Sequence, residues 1–196
     1  MAKKEDRRVQ RTQYLLREAL FSLTREKGFE ALSVQDIIDR ANVGRATFYA
    51  HFDNKEDLLL SGFEDLRASL RERQREARSH GSGLEKVAFA FSYDMLVHIN
   101  EHRHLFRAMA GKRSGATVQK VMRKLVIDLV RDDLKVMVEQ AGSRSAVTDA
   151  VVEFIAGGLF GMVMWWLGSK ARLSVEELDT LFRRFAIPAA KEALRT

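Results

Sequence analysis

The residues with the most chemical promise in this 196-residue chain lie between positions 45 and 55: Arg45, Thr47, Tyr49, His51 and Lys55. They offer a guanidinium, a hydroxyl, a phenol, an imidazole and an ammonium, hydrogen-bond donors suited to phosphate oxygens and base edges. A merely solvated helix face would carry Lys and Glu instead. Phe48 and Phe52, four apart, share one face of a helix, which turns Arg45, Thr47, Tyr49 and His51 mostly onto the others. Asn54, with Asp57 three positions on, caps a further helix and puts Lys55 in its first turn. A cation there opposes the helix dipole, so an anionic partner accounts for it.

A second set bears on metals. His98 and His102 are four apart, and Glu101 to His104 forms a Glu-x-x-His, arrangements that can hold a metal on a helix. A ferritin-like di-iron site needs a second Glu-x-x-His, and the sequence has none. Gly-x-Ser-x-Gly, a phosphate loop and cysteine are also missing. An enzyme, a metal and a cofactor are therefore not expected, and zero Cys excludes disulfides and thiolate sites.

The donors need a scaffold. Ser33 with Asp36 reads as a capping-box start, and Ile37, Ile38 and Ala41 give the following short helix its apolar face. Asn42 tolerates the left-handed conformation of a tight turn, Val43 plugs the corner, and Gly44 leads into a second helix from Arg45 to Phe52. The order is helix, turn, helix. A supporting helix is predicted from Thr12 to Lys27, with the stripe Leu16, Ala19, Leu20 and Leu23 and Gly28 just beyond its basic end.

With Thr47 to Phe52 followed by Asn54 to Leu59, the segment resembles the DNA-binding domain of the TetR family of bacterial transcriptional regulators, over roughly residues 10 to 60. The resemblance implies that Arg45 and Thr47 reach bases or nearby phosphates. It implies that Tyr49, His51 and Lys55 grip the backbone and that Ser33 touches a phosphate. There are departures. Gly44 stands where the family often has Ser, which removes a cap and a phosphate contact, and Ala46 where Gly is common, slightly limiting close approach. Asn42 replaces a frequent turn Gly but keeps the backbone geometry available.

Composition bounds the remainder. A hydrophobic content of 46%, one Pro and twelve Gly predict an all-α protein with a real core, divided into residues 1–60 and 61–196. Basic and acidic side chains number 11 and 10 in residues 1–60, 13 and 7 in 61–125, and 9 and 10 in 126–196. The excess is thus not on the reader as a whole, although Lys3, Lys4, Arg7, Arg8, Arg11 and Arg17 form a basic arm, read as a solvated tail or a groove tracker. The run Arg71 to Arg78 is expected to be a solvated helical face, with a break from Ser79 to Gly83. The N-terminus has no apolar signal core, so a soluble cytoplasmic protein is expected.

The second domain is expected to open with a helix from about Leu84 to Asn100. Its stripe Leu84, Ala88, Phe91, Met95, His98 and His102 carries both imidazoles on the continuation of the apolar face. With Phe106 and Met109 on a short helix near Leu105 to Ala110, these residues form the expected site of a small, largely apolar effector, with imidazoles to orient one polar group. A longer helix carries Val118, Met122, Leu125 and Leu129 and breaks at Ala141.

Ala150 to Gly168 is interrupted by charge only at Glu153. The 15 uncharged residues after it fall short of the roughly 20 a bilayer requires, so a buried helix is expected, without a membrane partner. Gly157, Gly158 and Gly161 permit close approach, Trp165 and Trp166 offer anchors, and Ser174 with Glu177 caps a last helix striped by Leu178, Leu181, Phe182 and Phe185. Pro188 is a candidate kink. The TetR resemblance implies a four-helix bundle between subunits, and Gly158, Gly161, Trp165, Leu178, Phe182 and Phe185 are the expected dimer residues. The sequence therefore reads as an all-α, homodimeric regulator, most simply a repressor on a palindromic double-stranded operator released by an effector. An activator or coactivator of the same fold is the alternative, and a helical metal-dependent enzyme the remoter one.

Overall fold

The computed structural model describes residues 2–79, 87–109, 113–141, 149–169 and 173–193. It is all-α, as expected, and comprises two compact units. The first takes residues up to Asp65 together with His104–Val118; the second takes Leu66–Arg103 and everything from Gln119 onward.

In the first unit, α1 (Ala2–Lys27) buries Leu16, Ala19, Leu20 and Leu23, and ends at Gly28, whose φ of 80° is open to glycine at no steric cost. A 3-10 turn (Phe29–Ala31) leads to α2 (Val34–Ala41) and α3 (Arg45–Tyr49). Next comes α4 (Lys55–Ser79), which starts in this unit. Leu16, Leu20, Phe29, Ile37, Phe48 and Leu58, each at most 1% exposed, make one continuous apolar set. The structure lengthens α1 beyond the expected start. Thr12 does not cap it; its hydroxyl donates to Arg8 O (3.0 Å) in the manner of an interior residue, and the Lys-, Glu- and Arg-rich arm continues the helix back to Ala2.

The second unit holds the rest of α4, then α5 (Phe91–Glu101). Beyond α6 (Arg103–Met109) and the start of α7 (Arg113–Ala141), both largely in the first unit, come the rest of α7, α8 (Asp149–Gly168) and α9 (Val175–Ala193). The run Arg71 to Arg78 is a solvated face only in part: Glu72, Arg73, Arg75 and Glu76 are exposed, while its other side packs on α7. Gln74, 3% exposed, donates to Leu129 O (2.9 Å), and Arg67, Arg71 and Arg78 meet Asp128, Asp132 and Asp133 at 2.6, 3.5 and 2.9 Å. Helical spacing on α4 is matched by helical spacing on α7, so the charges form a seam between two helices. Gly83 and the expected break around it lie outside the described residues.

Nor does one helix run from Leu84 to Asn100. Phe89 has a φ of 58°, incompatible with a right-handed helix, and its N–H donates to Asp133 Oδ2 (2.9 Å). Its ring is buried against Phe182 (5.7 Å), and its carbonyl accepts from the Ser92 hydroxyl (2.7 Å). Burial pushes the Asp133 carboxyl up, while its bond from Arg78 opposes this. The apolar helix α8 turns Val152, Ile155, Leu159, Val163 and Trp166 into the core, and α9 passes through Pro188 to Ala193 after a reciprocal cap between Ser174 and Glu177 (2.8 and 3.2 Å). By length and composition α8 is long and apolar enough to cross a membrane, a test that the core helix of a soluble protein also passes.

Asp133 joins three elements, so Asp133→Ala is expected to cost about 3–5 kcal/mol by leaving Arg78 and the Phe89 amide without their acceptor. Asp133→Asn, which keeps an acceptor, should cost clearly less. Urea unfolding of both variants checks the order.

Candidate nucleic-acid interface

The reader begins at a complete capping box. Ser33 Oγ accepts from Asp36 N (3.2 Å), Ser33 N donates to Asp36 Oδ2 (2.8 Å), and the Ser33 hydroxyl donates to the same oxygen (2.6 Å). Lys27 Nζ holds the other Asp36 oxygen at 2.8 Å, and this bond, ahead of those from Ser33, keeps the Asp36 carboxyl well below the usual range. The far end of α2 is tied down by Arg40, which forms a bidentate pair with Glu26 (2.7 Å each) and also donates to Ser22 (2.8 Å). The Arg40 bond lowers the Glu26 carboxyl to about 2.

The turn takes its left-handed residue at Asn42 (φ 51°, ψ 47°), and Val43 N donates to Ile38 O (3.0 Å). Gly44 is extended (φ −69°, ψ 147°) and receives Phe48 N (3.1 Å) without giving a side-chain cap. A Cβ there would meet Thr47 Oγ1 at an ordinary 3.7 Å, so the position does not require glycine.

Within α3, Phe48 is fully buried, edge-on to Tyr49 and tilted against Phe52 (5.3 and 5.9 Å between centroids). Burying that ring leaves Arg45, Ala46, Thr47 and Tyr49 exposed, with the Arg45 guanidinium 5.7 Å from the centre of the Tyr49 ring. His51 lies after the helix, half-buried beside Phe52. The expected helix to Phe52 is thus shorter, ending in a turn. Sequence reading missed Gln35, whose amide oxygen faces Arg45 NH1 at 3.5 Å from the first turn of α2 and whose amide nitrogen donates to Asp39 (2.8 Å). Its place in the capped first turn was the available signal.

Lys55 departs from the expectation of a phosphate grip. Its ammonium donates to the carbonyls of Phe29, Glu30 and Leu32 (3.0, 3.3 and 2.8 Å) and lies 4.7 Å from the Phe29 ring centre. An ammonium has three donors, and all three are directed to the 3-10 turn. The anionic partner inferred for this cation is here a set of carbonyl oxygens.

The expected effector residues are not gathered in one described cavity. Phe91 and Met95 fill the core of the second unit (0% and 1% exposed), while His98 and His102 are half-buried and stacked (4.5 Å) one turn further along α5. Phe106 belongs to the first unit, edge-on to Phe63 (6.4 Å), and the Met109 side chain lies outside the described residues. The expected dimer residues also divide. Leu178 and Phe182 are 0% and 2% exposed and pack inside the unit, Phe182 on Phe89. Gly158 and Gly161 are exposed with open space at each Cβ, and Trp165 and Phe185 are 51% and 64% exposed. Phe154, 70% exposed, was missed; with Gly158, Gly161 and Trp165 it completes a four-three-four stripe along α8.

An all-α chain with a capped helix-turn-helix that presents a short row of donors defines a helix-turn-helix protein. The sequence profile described as bacterial regulatory proteins, tetR family, matches residues 16–61, and one described as a transcriptional regulator C-terminal region matches residues 88–187. The chain belongs to the TetR family and is a DNA-binding transcriptional regulator. It is 43% identical over 58 residues to an uncharacterized helix-turn-helix regulator, YxbF, of Bacillus subtilis, a match covering 29% of this chain but only 15% of that protein. A TetR-family regulator from Syntrophomonas wolfei is similar in fold, with a TM-score of 0.77 at 19% identity, covering 93% of this chain and 96% of that one. So is Thermus thermophilus FadR, solved with lauroyl-CoA (TM-score 0.66, 22% identity, 90% and 94% covered).

Two outcomes follow from this geometry. Glu26 is expected to titrate near 2 and to return towards 4.5 in Arg40→Ala, followed by carboxyl NMR; because its folded-state value is depressed, its contribution to stability is present above about 4.5 and lost as the pH falls through about 2. Gly44→Ser should stabilise the first unit by a few tenths of a kcal/mol, measured by urea unfolding, since the site has room and lacks only a cap acceptor.

Proposed function

We propose that this regulator is a homodimeric repressor that occupies a roughly palindromic operator and is released by a small-molecule effector. The observation that carries the DNA reading is α3: burial of Phe48 leaves Arg45, Thr47 and Tyr49 together in solvent, as a helix in the major groove requires. Arg45 and Thr47 read base edges or nearby phosphates. Tyr49, His51 and Ser33 contact the backbone, and exposed Ala46 and Gly44 let the sugar-phosphate chain approach. Lys55 holds the start of α4 to the 3-10 turn and thereby positions the reader.

A two-fold protein matches two half-sites, and the exposed stripe Phe154, Gly158, Gly161 and Trp165, with Phe185 on α9, supplies the self-complementary face. Effector release is supported by the lauroyl-CoA bound in FadR, a protein of the same fold. The second unit here offers a half-polar groove of about 370 Å³ lined by residues that include Val97, Asn100, Glu101, Trp166 and Leu173. An effector need only bind the DNA-incompetent state better by about 1–3 kcal/mol to lower operator occupancy 5- to 150-fold.

Selection of duplexes from random DNA, followed by binding assays at several salt concentrations, tests the reader. Wild type should bind the selected site with a steep salt dependence. Arg45→Ala should lose about 1–3 kcal/mol of affinity and relax the preferred sequence, whereas Tyr49→Phe should weaken all sequences alike. Unchanged binding by Arg45→Ala, Tyr49→Phe double variants would overturn the assignment. For the dimer, Trp165→Glu should give a folded monomer in sedimentation, while Phe182→Glu should unfold the second unit; a folded dimer of Trp165→Glu places the interface elsewhere.

A further inference from the structure

We infer that His98, Glu101 and His102 form a transition-metal site on α5, accepting a divalent ion of the zinc, cobalt or nickel class. Their positions i, i+3 and i+4 share one helix face, and one ring nitrogen of each histidine and a carboxylate oxygen of Glu101 all lie within 4.8 Å of one another. Bonds of about 2.0–2.2 Å in a tetrahedral shell bring ligand atoms to about 3.3–3.5 Å apart, so closure needs only side-chain rotation.

His102 is oriented by a hydrogen bond that suits coordination. His102 Nδ1 is 3.0 Å from His98 O, and a carbonyl only accepts, so the proton sits on Nδ1 and the lone pair on Nε2. This is the orienting bond that metal-bound imidazoles commonly make. The rings stack at 4.5 Å with planes 25° apart, so coordination requires them to rotate out of the stack to converge on one ion, and the exposed Glu101 adds the hard oxygen and the negative charge.

Two imidazoles and one carboxylate suit zinc and its neighbours far better than magnesium or calcium, which prefer all-oxygen shells. Three protein ligands leave an open position for water or for an anionic group of a second molecule. A second Glu-x-x-His is unnecessary here, because this is a single-ion site. The site lies where α5 ends, at His102 (φ −104°, ψ 20°), so a bound ion ties the last turn of the helix to itself.

The test uses the full-length, tag-free protein stripped with a chelator and titrated calorimetrically with zinc chloride, and in parallel with cobalt chloride followed by visible absorption. The expected result is one ion per chain, histidine-type cobalt bands, a zinc-dependent rise in melting temperature, and no response to magnesium. His98→Gln and His102→Gln should each weaken zinc at least tenfold and Glu101→Gln less, with His104→Gln unchanged. Circular dichroism and urea unfolding of the stripped variants establish that they fold, and X-ray absorption on the wild-type zinc complex reads the histidine ligands independently of any variant. Undiminished binding in the His98, His102 double variant, no binding in the wild type, or an absorption spectrum without imidazole scattering would each overturn the site.

Discussion

Burial of one side chain, Phe48, governs the helix-turn-helix on which the rest of the account depends. A helix of five residues lies far below the length at which a helix persists in water, so α3 exists because its aromatic face is inserted into the core. Its neighbours hold that insertion in place. The capping box fixes where α2 begins, Asn42 sets the turn, Lys27 and Arg40 clamp both ends of α2 to α1, and Lys55 fastens the start of α4 to the 3-10 turn. Each of these interactions is exposed or modest alone, yet together they leave one short helix a single orientation in which its donors face outward.

The second unit uses different physics. Its α4–α7 seam is charged, with arginines on one helix meeting aspartates on the other, and Asp133 is drawn deep enough to anchor the turn at Phe89. The apolar surface of α8 is divided: one side is committed to the core through Leu159, Val163 and Trp166, while Phe154 and Trp165 remain outside. Arg103 adds a further tie, donating to Trp166 O with its guanidinium 4.3 Å from the centre of the Trp166 ring. The exposed stripe on α8 is the feature on which the proposed self-association rests.

Where a signal was local, the sequence could be read. Ser33 with Asp36, Asn42 at the turn and Phe48 with Phe52 each depend on neighbours within four residues, and the family resemblance rests on the same stretch. What escaped depends on partners far along the chain. Arg71 and Arg78 look solvated until α7 brings Asp132 and Asp133 beside them, 55 positions on in the case of Arg78. The carbonyls that receive Lys55 lie more than twenty residues earlier, so no local pattern announces them. Leu178 and Phe154 are both apolar residues on helical stripes, and only tertiary packing, in which α9 meets both α8 and α5, separates the buried one from the exposed one.

The central claim is that α3 is the surface that reads DNA. Mapping backbone amide NMR shifts while the wild-type protein is titrated with its selected duplex, against a scrambled duplex of equal length, tests this directly. The account predicts large, sequence-dependent shifts at Arg45, Thr47 and Tyr49, smaller ones at Ser33 and Gln35, and little change at Lys55. Shifts confined to the basic N-terminal turns of α1 or to α8 and α9, with Arg45 to Tyr49 unmoved, would contradict it.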